Sequence, residues 1–398
     1  MADMLGGVRV VTIEAVGVVP GATGLMRDMG AIVTKIEPPG VGETGRGNWK
    51  KRTDLGDSFP GEGFFDIRNR GKQSVTLNIA SPEGRDILVR LLADADVFAH
   101  NLRASAVQRY GLDYETIGAL YPKLIYASFS GYGEKGIDKD KDDWGPVALW
   151  SRAGLGAHYG DFGSMPEPTR GAMDDTIATI GFLASVLGAL VERASSGLGQ
   201  KVTTSHYQLG MWINTPISQA LAGQEVPDKV GHWDNATRAI YQCGDGRWLF
   251  VHAGRPSHWK ALWEALGRED VLDDPRFTTP AGRTTNKDAL IELIKMELLK
   301  RPACEWERLI TDSGGASGMV YEVDDVINDP QAEENGFFEH YDTPAGPRRL
   351  LAPPLQYSRT PLTPRGPAPD VGEHTDQVLT SAGYSQQEIA AFRSSGVI

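Results

Sequence analysis

Val8-Arg-Val-Val-Thr-Ile13, Pro20 to Asp28 and Ala31-Ile-Val-Thr-Lys-Ile36 decide the fold between them. The first stretch is apolar and rich in β-branched residues, and it predicts a buried strand. The second predicts a short helix, with Pro20 near its start and Gly30 after its end. The third predicts a second strand. The alternation continues downstream. Ser74-Val-Thr-Leu-Asn-Ile79 reads as a strand, and Ser81-Pro82 caps a helix through Leu92. Asp96-Val-Phe-Ala99 is strand-like, Tyr114 to Leu120 helical, and Leu124-Ile-Tyr-Ala-Ser-Phe129 a further strand. Strands alternating with helices predict an α/β fold with a parallel sheet and right-handed crossovers. Ligands on such sheets sit beyond the carboxyl ends of the strands.

The remainder falls into four parts. Residues 134–145 form a charged loop with Gly136 and Gly145. Asp175 then opens the longest apolar run of the chain, through Leu190, and Val191-Glu-Arg193 and Gly197-Leu-Gly-Gln200 end it. Apolar on nearly every face, this run predicts a buried helix. Lys201-Val-Thr-Thr-Ser-His206 begins the next segment. From about residue 225 the signals shorten, as in Trp248-Leu-Phe-Val-His252 and Ala289 to Leu299, which reads as a smaller α+β domain. The expected boundaries are 1–222 for the large domain and 223–340 for the small one. Residues 341–398 then make a proline-rich return linker and a C-terminal segment that completes the large domain, with a short helix near Gln386 to Ser394.

Composition narrows the function. The 398 residues are 40% hydrophobic and 23% charged, enough for a sizeable core and two domains. A formal net charge of -12 argues against nucleic acid as a partner. Two cysteines, Cys243 and Cys304, and eight histidines show no disulfide framework and no metal-ligand spacing. A reducing cytoplasm is the expected compartment. No stretch reaches the ~18 consecutive apolar residues of a membrane span, and the N-terminus lacks a signal pattern, so no membrane association is expected.

Two carboxylates, Asp174 and Asp175, stand where the apolar helix begins. A cap with a favourable dipole interaction is one reading, although a cap needs only one Asp. The other is a carboxylate nucleophile held at a positive helix end in a partly dry site. Gly17-Val-Val-Pro-Gly21-Ala-Thr-Gly24 follows the first strand without matching the dinucleotide fingerprint. It is either a tight turn or a set of backbone amides near a nucleotide. Arg68-Asn-Arg70-Gly-Lys72, and Asn101-Leu-Arg103 with Arg109 beyond it, are either solvated charge or a phosphate-binding set at strand ends.

Several strings in order carry a resemblance. They are Met29-Gly-Ala-Ile-Val-Thr-Lys-Ile-Glu-Pro-Pro-Gly40, Asn69-Arg-Gly-Lys-Gln-Ser74, Ser81-Pro-Glu-Gly-Arg85, Ala93-Asp-Ala-Asp-Val97 and Tyr110-Gly-Leu-Asp-Tyr114. Tyr126-Ala-Ser-Phe-Ser-Gly-Tyr-Gly133, the Asp175 helix ending in Ser196-Gly-Leu-Gly-Gln200, and Gly372-Glu-His-Thr-Asp376 complete the set. Together they resemble the class III coenzyme A transferases, the family of formyl-CoA and crotonobetainyl-CoA transferases, over nearly the whole chain. The resemblance implies a Rossmann-like large domain, a small domain and an interlocked homodimer. It implies no metal and no cofactor beyond CoA as substrate.

The family's catalytic Asp opens the long helix. Counting back from Gly197-Leu-Gly-Gln200 in the transferase pattern reaches Asp175; the racemase branch gives Asp174 as the register alternative. CoA contacts carry over to Val16, Gly17, Lys72, Asn101, Leu102, Ala106 and Arg109. Trp144 corresponds to an aromatic wall of the acyl site and His206 lies near the CoA thiol end. Gly17 replaces a Gln that shapes the site of formyl-CoA transferase. Gly145 stands where an acidic residue is common, and Thr179 where a Gly is usual. The implied reaction is acyl-CoA:carboxylate CoA transfer through aspartyl intermediates, with an acid larger than formate or oxalate as acceptor. An α-methylacyl-CoA epimerase, with Asp142 or Asp143 in place of the missing His of the 140s, and a non-catalytic CoA-binding relative are the rival readings.

Overall fold

The computed structural model describes residues 3–48, 63–159, 164–226, 235–343 and 346–398. Two compact units emerge: Met1–Gly156 with Pro168–Gln224 and Gly336–Ile398, and Ala157–Glu167 with Glu225–Asn335. The first is built on a six-stranded sheet of β1 (Arg9–Ile13), β2 (Ile32–Glu37), β3 (Gln73–Thr76), β4 (Val97–His100), β5 (Ile125–Ser130) and β6 (Lys201–Ser205). Its order is β3-β2-β1-β4-β5-β6, and every pairing is parallel. This is the order of a doubly wound nucleotide-binding sheet, in which the connections reverse direction between β1 and β4.

The period-2 alternation of strand side chains separates two apolar layers. Val10, Val33, Val97, Ala99, Ile125 and Ala127 join the helices Val18–Asp28 and Met173–Ser196 on one face. Val11, Ile13, Phe98 and Tyr126 pack on the other face with Ile87, Leu88 and Leu92 of the helix Pro82–Leu92. Ser81 caps that last helix through its hydroxyl, which accepts from Gly84 N, with Pro82 in the first turn. The β3 edge is covered from far along the chain. His374 N donates to Ser74 O, Thr76 N to Thr375 Oγ1, and Asn78 N to Val397 O.

The long helix, Met173–Ser196, departs from the all-round burial expected of it. Ala178, Phe182, Leu183, Val186 and Ala189 are buried, whereas Ile180 and Val191 are exposed. A helix lying on a sheet has one face toward it, and among the described residues Ile180, Ala184, Gly188 and Val191 on the other are exposed. By length and composition this helix is apolar enough to cross a membrane, yet its packed face belongs to the core of the unit.

The second unit has its own antiparallel sheet, β7 (Arg238–Gln242), β8 (Trp248–His252) and β9 (Ser317–Met319), in that order. Tyr241, Leu249, Val251, Trp263, Leu290, Ile294 and Trp306 fill its core. A further hairpin of β10 (Phe338–Thr343) and β11 (Gly346–Leu351) belongs to the first unit and occupies part of the proline-rich stretch read as linker.

Under the carboxyl end of β1 lies a buried ionic cluster. Glu14 Oε1 accepts from Lys72 Nζ at 2.6 Å and lies 3.7 Å from Lys35 Nζ. Glu14 Oε2 accepts from the hydroxyls of Thr12 at 2.9 Å and Thr23 at 2.6 Å. Lys35 Nζ also reaches Glu43 at 3.3 Å and Asn69 Oδ1 at 2.7 Å. Burial pushes Glu14 up, and the ammonium groups of Lys72 and Lys35 more than offset it, leaving the carboxyl below its ordinary range. Lys72→Ala removes the closest counter-charge from a carboxylate that cannot reach water, so unfolding stability should fall by about 3 kcal/mol. Urea denaturation measures this. A loss below about 1 kcal/mol would mean that Lys35 alone compensates Glu14.

Candidate active site

The site forms where the connections reverse. Asn101, just after β4, ties the two loops together: its Oδ1 accepts from Ala15 N at 3.1 Å and its Nδ2 donates to Ala15 O at 2.8 Å. Next along the chain, Val16 has φ 61°. A β-branched residue in this left-handed region is strained by about 1–3 kcal/mol. Glu43 holds it there, its Oε2 accepting from Val16 N at 3.0 Å and from Gly45 N at 2.7 Å. Among the described residues the one other non-glycine with positive φ is Ala172, at 55°, which precedes the long helix. Both strained residues flank the same carboxylate pair.

The two aspartates face different surroundings, because successive residues of a helix point about 100° apart. Asp174 is 2% exposed, and Thr169 Oγ1 lies 3.4 Å from its Oδ1. A Cβ at Gly145 would overlap Asp174 Oδ2. Burial first, and then the negative charge of Asp175, push the Asp174 carboxyl up. Asp175 keeps 20% side-chain exposure and lies against Gly17, where a Cβ would overlap its carboxylate. Gly17 is the N-cap of the helix Val18–Asp28, so Asp175 meets the positive end of that helix as well as of its own.

Two cationic side chains serve Asp175. His206 Nε2 stands 3.3 Å from Asp175 Oδ1, within ion-pair range but without an aligned hydrogen bond. On its other side His206 Nδ1 is 2.5 Å from Asp143 Oδ2, and the Phe129 ring meets the imidazole edge-on at 4.8 Å. Burial lowers the affinity of His206 for its proton, but the Asp143 hydrogen bond and the charges of Asp143 and Asp175 outweigh this and raise its pKa to about 9. Arg68 is the second cation. Burial lowers its pKa to about 10, opposed by the charge of Asp175, and its Nε has no hydrogen-bond partner. Its guanidinium stacks 3.5 Å from the Phe64 ring centroid, and Nη2 lies 3.5 Å from Thr176 Oγ1.

Of the residues singled out in the sequence, the structure brings Val16, Gly17 and Asn101 together at the sheet's reversal point, with Leu102 following Asn101. It joins Asp175 and His206 to them. Ala106 is half-buried in the helix Ala104–Tyr110, whereas Arg109 is exposed and donates to Tyr110 Oη at 2.9 Å. Trp144, between Asp143 and Gly145 in sequence, is 64% exposed. Lys72 requires a correction. It is 1% exposed and its ammonium is consumed by Glu14, Pro20 O and Asn69, so it has no open face for a phosphate. At Gly17, which replaces the Gln of formyl-CoA transferase, the Asp175 carboxylate occupies the place of a side chain. Asp143, Arg68 and Glu43 were not singled out for the surroundings of Asp175. Their strings, Asp142-Asp143 and Arg68-Asn-Arg70, were visible as charge, but not as partners of Asp175. Among the described residues no cluster of three or more His, Cys, Asp or Glu has an arrangement that would hold a metal ion.

Ligands of such a sheet sit at its reversal point, beyond the carboxyl ends of the strands, and a carboxylate at a helix start there has the chemistry of a nucleophile. The sequence of residues 5–375 matches the family model of CoA-transferase family III, and the chain belongs to that family. It is a class III CoA-transferase by that membership. It is 30% identical over 400 residues to the (R)-2-hydroxy-4-methylpentanoate CoA-transferase of Clostridioides difficile, covering 99% of each chain. It is 29% identical to the cinnamoyl-CoA:phenyllactate CoA-transferase of Clostridium sporogenes, over 97% of this chain and 95% of that one. Among solved structures it resembles a CaiB/BaiF family protein from Brucella suis, at a TM-score of 0.82 and 26% identity, covering 96% of this chain and all (100%) of the other.

Gly17→Ala tests the contact that seats Asp175. The new methyl group displaces the carboxylate, and a misplacement of roughly 1 Å lowers turnover about 100-fold. Steady-state CoA-transfer kinetics check this, with circular dichroism to confirm folding. Turnover near that of the unaltered protein would mean that Asp175 does not work from this position.

Proposed function

We propose that the protein transfers CoA from an acyl-CoA donor to a carboxylic acid, with Asp175 as the nucleophile. The observation that carries this reading is the seat of the Asp175 carboxylate, against Gly17 at the sheet's reversal point with His206 and Arg68 beside it. The carboxylate attacks the thioester carbonyl and expels CoA thiolate, giving an aspartyl–acyl anhydride. The thiolate attacks the aspartyl carbonyl, which releases the first acid and leaves an aspartyl-CoA thioester. The acceptor carboxylate attacks that thioester and frees the thiolate again. The thiolate then takes the new acyl group and restores Asp175. Negative charge on the carbonyl oxygens and on sulfur develops beside two cations and two helix N-termini, which lowers the cost of each step.

Asn101, Leu102, Val16, Gly17, Ala106 and Arg109 serve the CoA portion in this reading, with Trp144 toward the acyl group. Lys72 acts beneath them by holding Glu14. No metal or organic cofactor enters the chemistry, and the enzyme works in the cytoplasm. The two named relatives act on branched and aromatic acids by their names, which supports an acceptor larger than formate or oxalate. The epimerase reading has less support. It needs Asp142 or Asp143 as a base in place of the missing His, and Asp143 is engaged by His206 Nδ1 at 2.5 Å while Asp142 pairs with Arg103.

The test uses several acyl-CoA donors and a size series of acids, with mass spectrometry of the CoA products. Asp175→Asn should abolish transfer and keep CoA-ester binding. Hydroxylamine added during turnover should convert Asp175 to its hydroxamate in the unaltered protein. Loss of transfer in Asp174→Asn but not in Asp175→Asn would move the nucleophile by one position.

The active form in this reading is a homodimer. Its support is the apolar surface that the single chain leaves open on the long helix and the two helices after it, His206–Ile213 and Thr215–Leu221. Ile180, Val191, Met211, Trp212, Ile213 and Leu221 are exposed there. Patches of this kind mark protein interfaces. Sedimentation equilibrium should return twice the chain mass across dilution; an active monomer would refute the dimer.

A further inference from the structure

Asp143 and His206 are 63 residues apart in sequence, yet they form the shortest polar contact around the nucleophile, at 2.5 Å. We propose that Asp143 is a positioning residue that acts through His206, fixing the imidazole so that Nε2 faces Asp175 and holds its carboxylate in the attacking orientation. This rests on the transferase reading and deepens it, since it concerns what keeps the nucleophile in place between steps.

The geometry argues for a built device. The His206 side chain is 95% buried by its 5% exposure, and its Nε2, aimed at Asp175, has no aligned hydrogen-bond partner in the free protein. An ion pair at 3.3 Å without an aligned hydrogen bond does not by itself fix the ring, so the orientation is imposed from the other side. Asp143 imposes it through Nδ1, and Phe129 braces the ring at 87° to its own plane. Asp143 is itself confined: a Cβ at Gly131 would overlap its side chain, so the glycine there makes room for it. The arrangement is an orienting carboxylate, an imidazole and a reacting group in series.

Every charged neighbour has a place in this series. Asp175 and Asp174 come from the long helix, and Asp143 from the loop before residue 146. Arg68, from the helix Gly63–Asn69, acts on Asp175. Tyr132 adjoins Asp143, and Arg152 lies over the Tyr132 and Tyr207 rings at 5.0 and 5.2 Å. The sum at the imidazole is dominated by carboxylates, which is why His206 holds its proton up to about pH 9.

Asp143→Asn keeps the shape and removes the charge. The affinity of His206 for its proton then falls from about 9 toward the ordinary value of 6.5. The sign is definite. At pH 8 the unaltered protein keeps the imidazolium, whereas the variant loses it; at pH 6 both keep most of it. The protonated fraction at pH 8 falls by up to about 30-fold and at pH 6 by less than about twofold. Turnover of Asp143→Asn should therefore fall by up to that factor at pH 8 and recover toward pH 6, with unchanged affinity for the acyl-CoA. Asp143→Glu, which restores a carboxylate, should regain part of the rate at pH 8. Titration of the His206 imidazole by nitrogen-edited NMR reads the coupling without any turnover, and circular dichroism checks folding of both variants.

The outcomes separate. A pH-independent loss in Asp143→Asn, or an unshifted His206 titration, overturns the positioning role. A His206 titration shifted in Asp143→Asn, with the pH-dependent rate loss, supports it. If the unaltered protein gives no CoA exchange and no hydroxamate on Asp175, the transferase reading fails, and the positioning role falls with it. That result is distinct from a failure of the coupling, because the NMR shift would still be present.

Discussion

Glu14 and Glu43 share the ammonium groups of Lys35 and Lys72 beneath the loop that leaves β1, and the geometry above follows from that cluster. Glu43 uses one oxygen for Lys35 and the other for the amide of Val16. A β-branched residue does not stay at positive φ unless its surroundings over-determine it. Here a charge-assisted bond to a buried carboxylate does so. With Val16 fixed, Gly17 comes to lie against Asp175, and the absence of a side chain at 17 becomes a requirement of space. The ionic cluster sets the floor on which the Asp175 carboxylate rests.

The adjacent aspartates share one helix turn and little else. Asp174 is buried, pushed toward its neutral form and backed by Gly145. Asp175 is partly open, paired with His206 and influenced by Arg68. After burial, repulsion between the adjacent carboxylates contributes to pushing Asp174 up. Environment separates two identical side chains, as it does in other adjacent carboxylate pairs.

The sheet was readable because its signals are local. Apolar β-branched runs, a serine cap with proline behind it, and glycines after helices each act within a few residues, and β1, β2, β4 and β5 lie close to the stretches that predicted them. Asp175 and His206 were legible as a helix-start carboxylate and a histidine after the same helix. Burial was not legible. Lys72 belongs to a string that looks solvated, and only the folded chain brings Glu14, 58 residues away, to its ammonium. The long helix reads as apolar on all sides, but the sheet offers one surface to pack against. Asp143 was read only as a substitute base in the epimerase alternative, since its pairing with His206 depends on β5 and β6 being neighbours.

The edge strand β3 is sealed by residues 372–397, about 300 positions downstream of it. A chain emerging from the ribosome presents β3 early and its cover late, with the whole second unit made in between. For that interval the sheet has an open rim of unpaired amides and carbonyls, the type of surface on which chains associate wrongly. The order of synthesis thus makes the first unit the last to close, and makes its yield in the cell depend on how long that rim is shielded. Truncations beyond residue 371 act on this timing before they act on any chemistry.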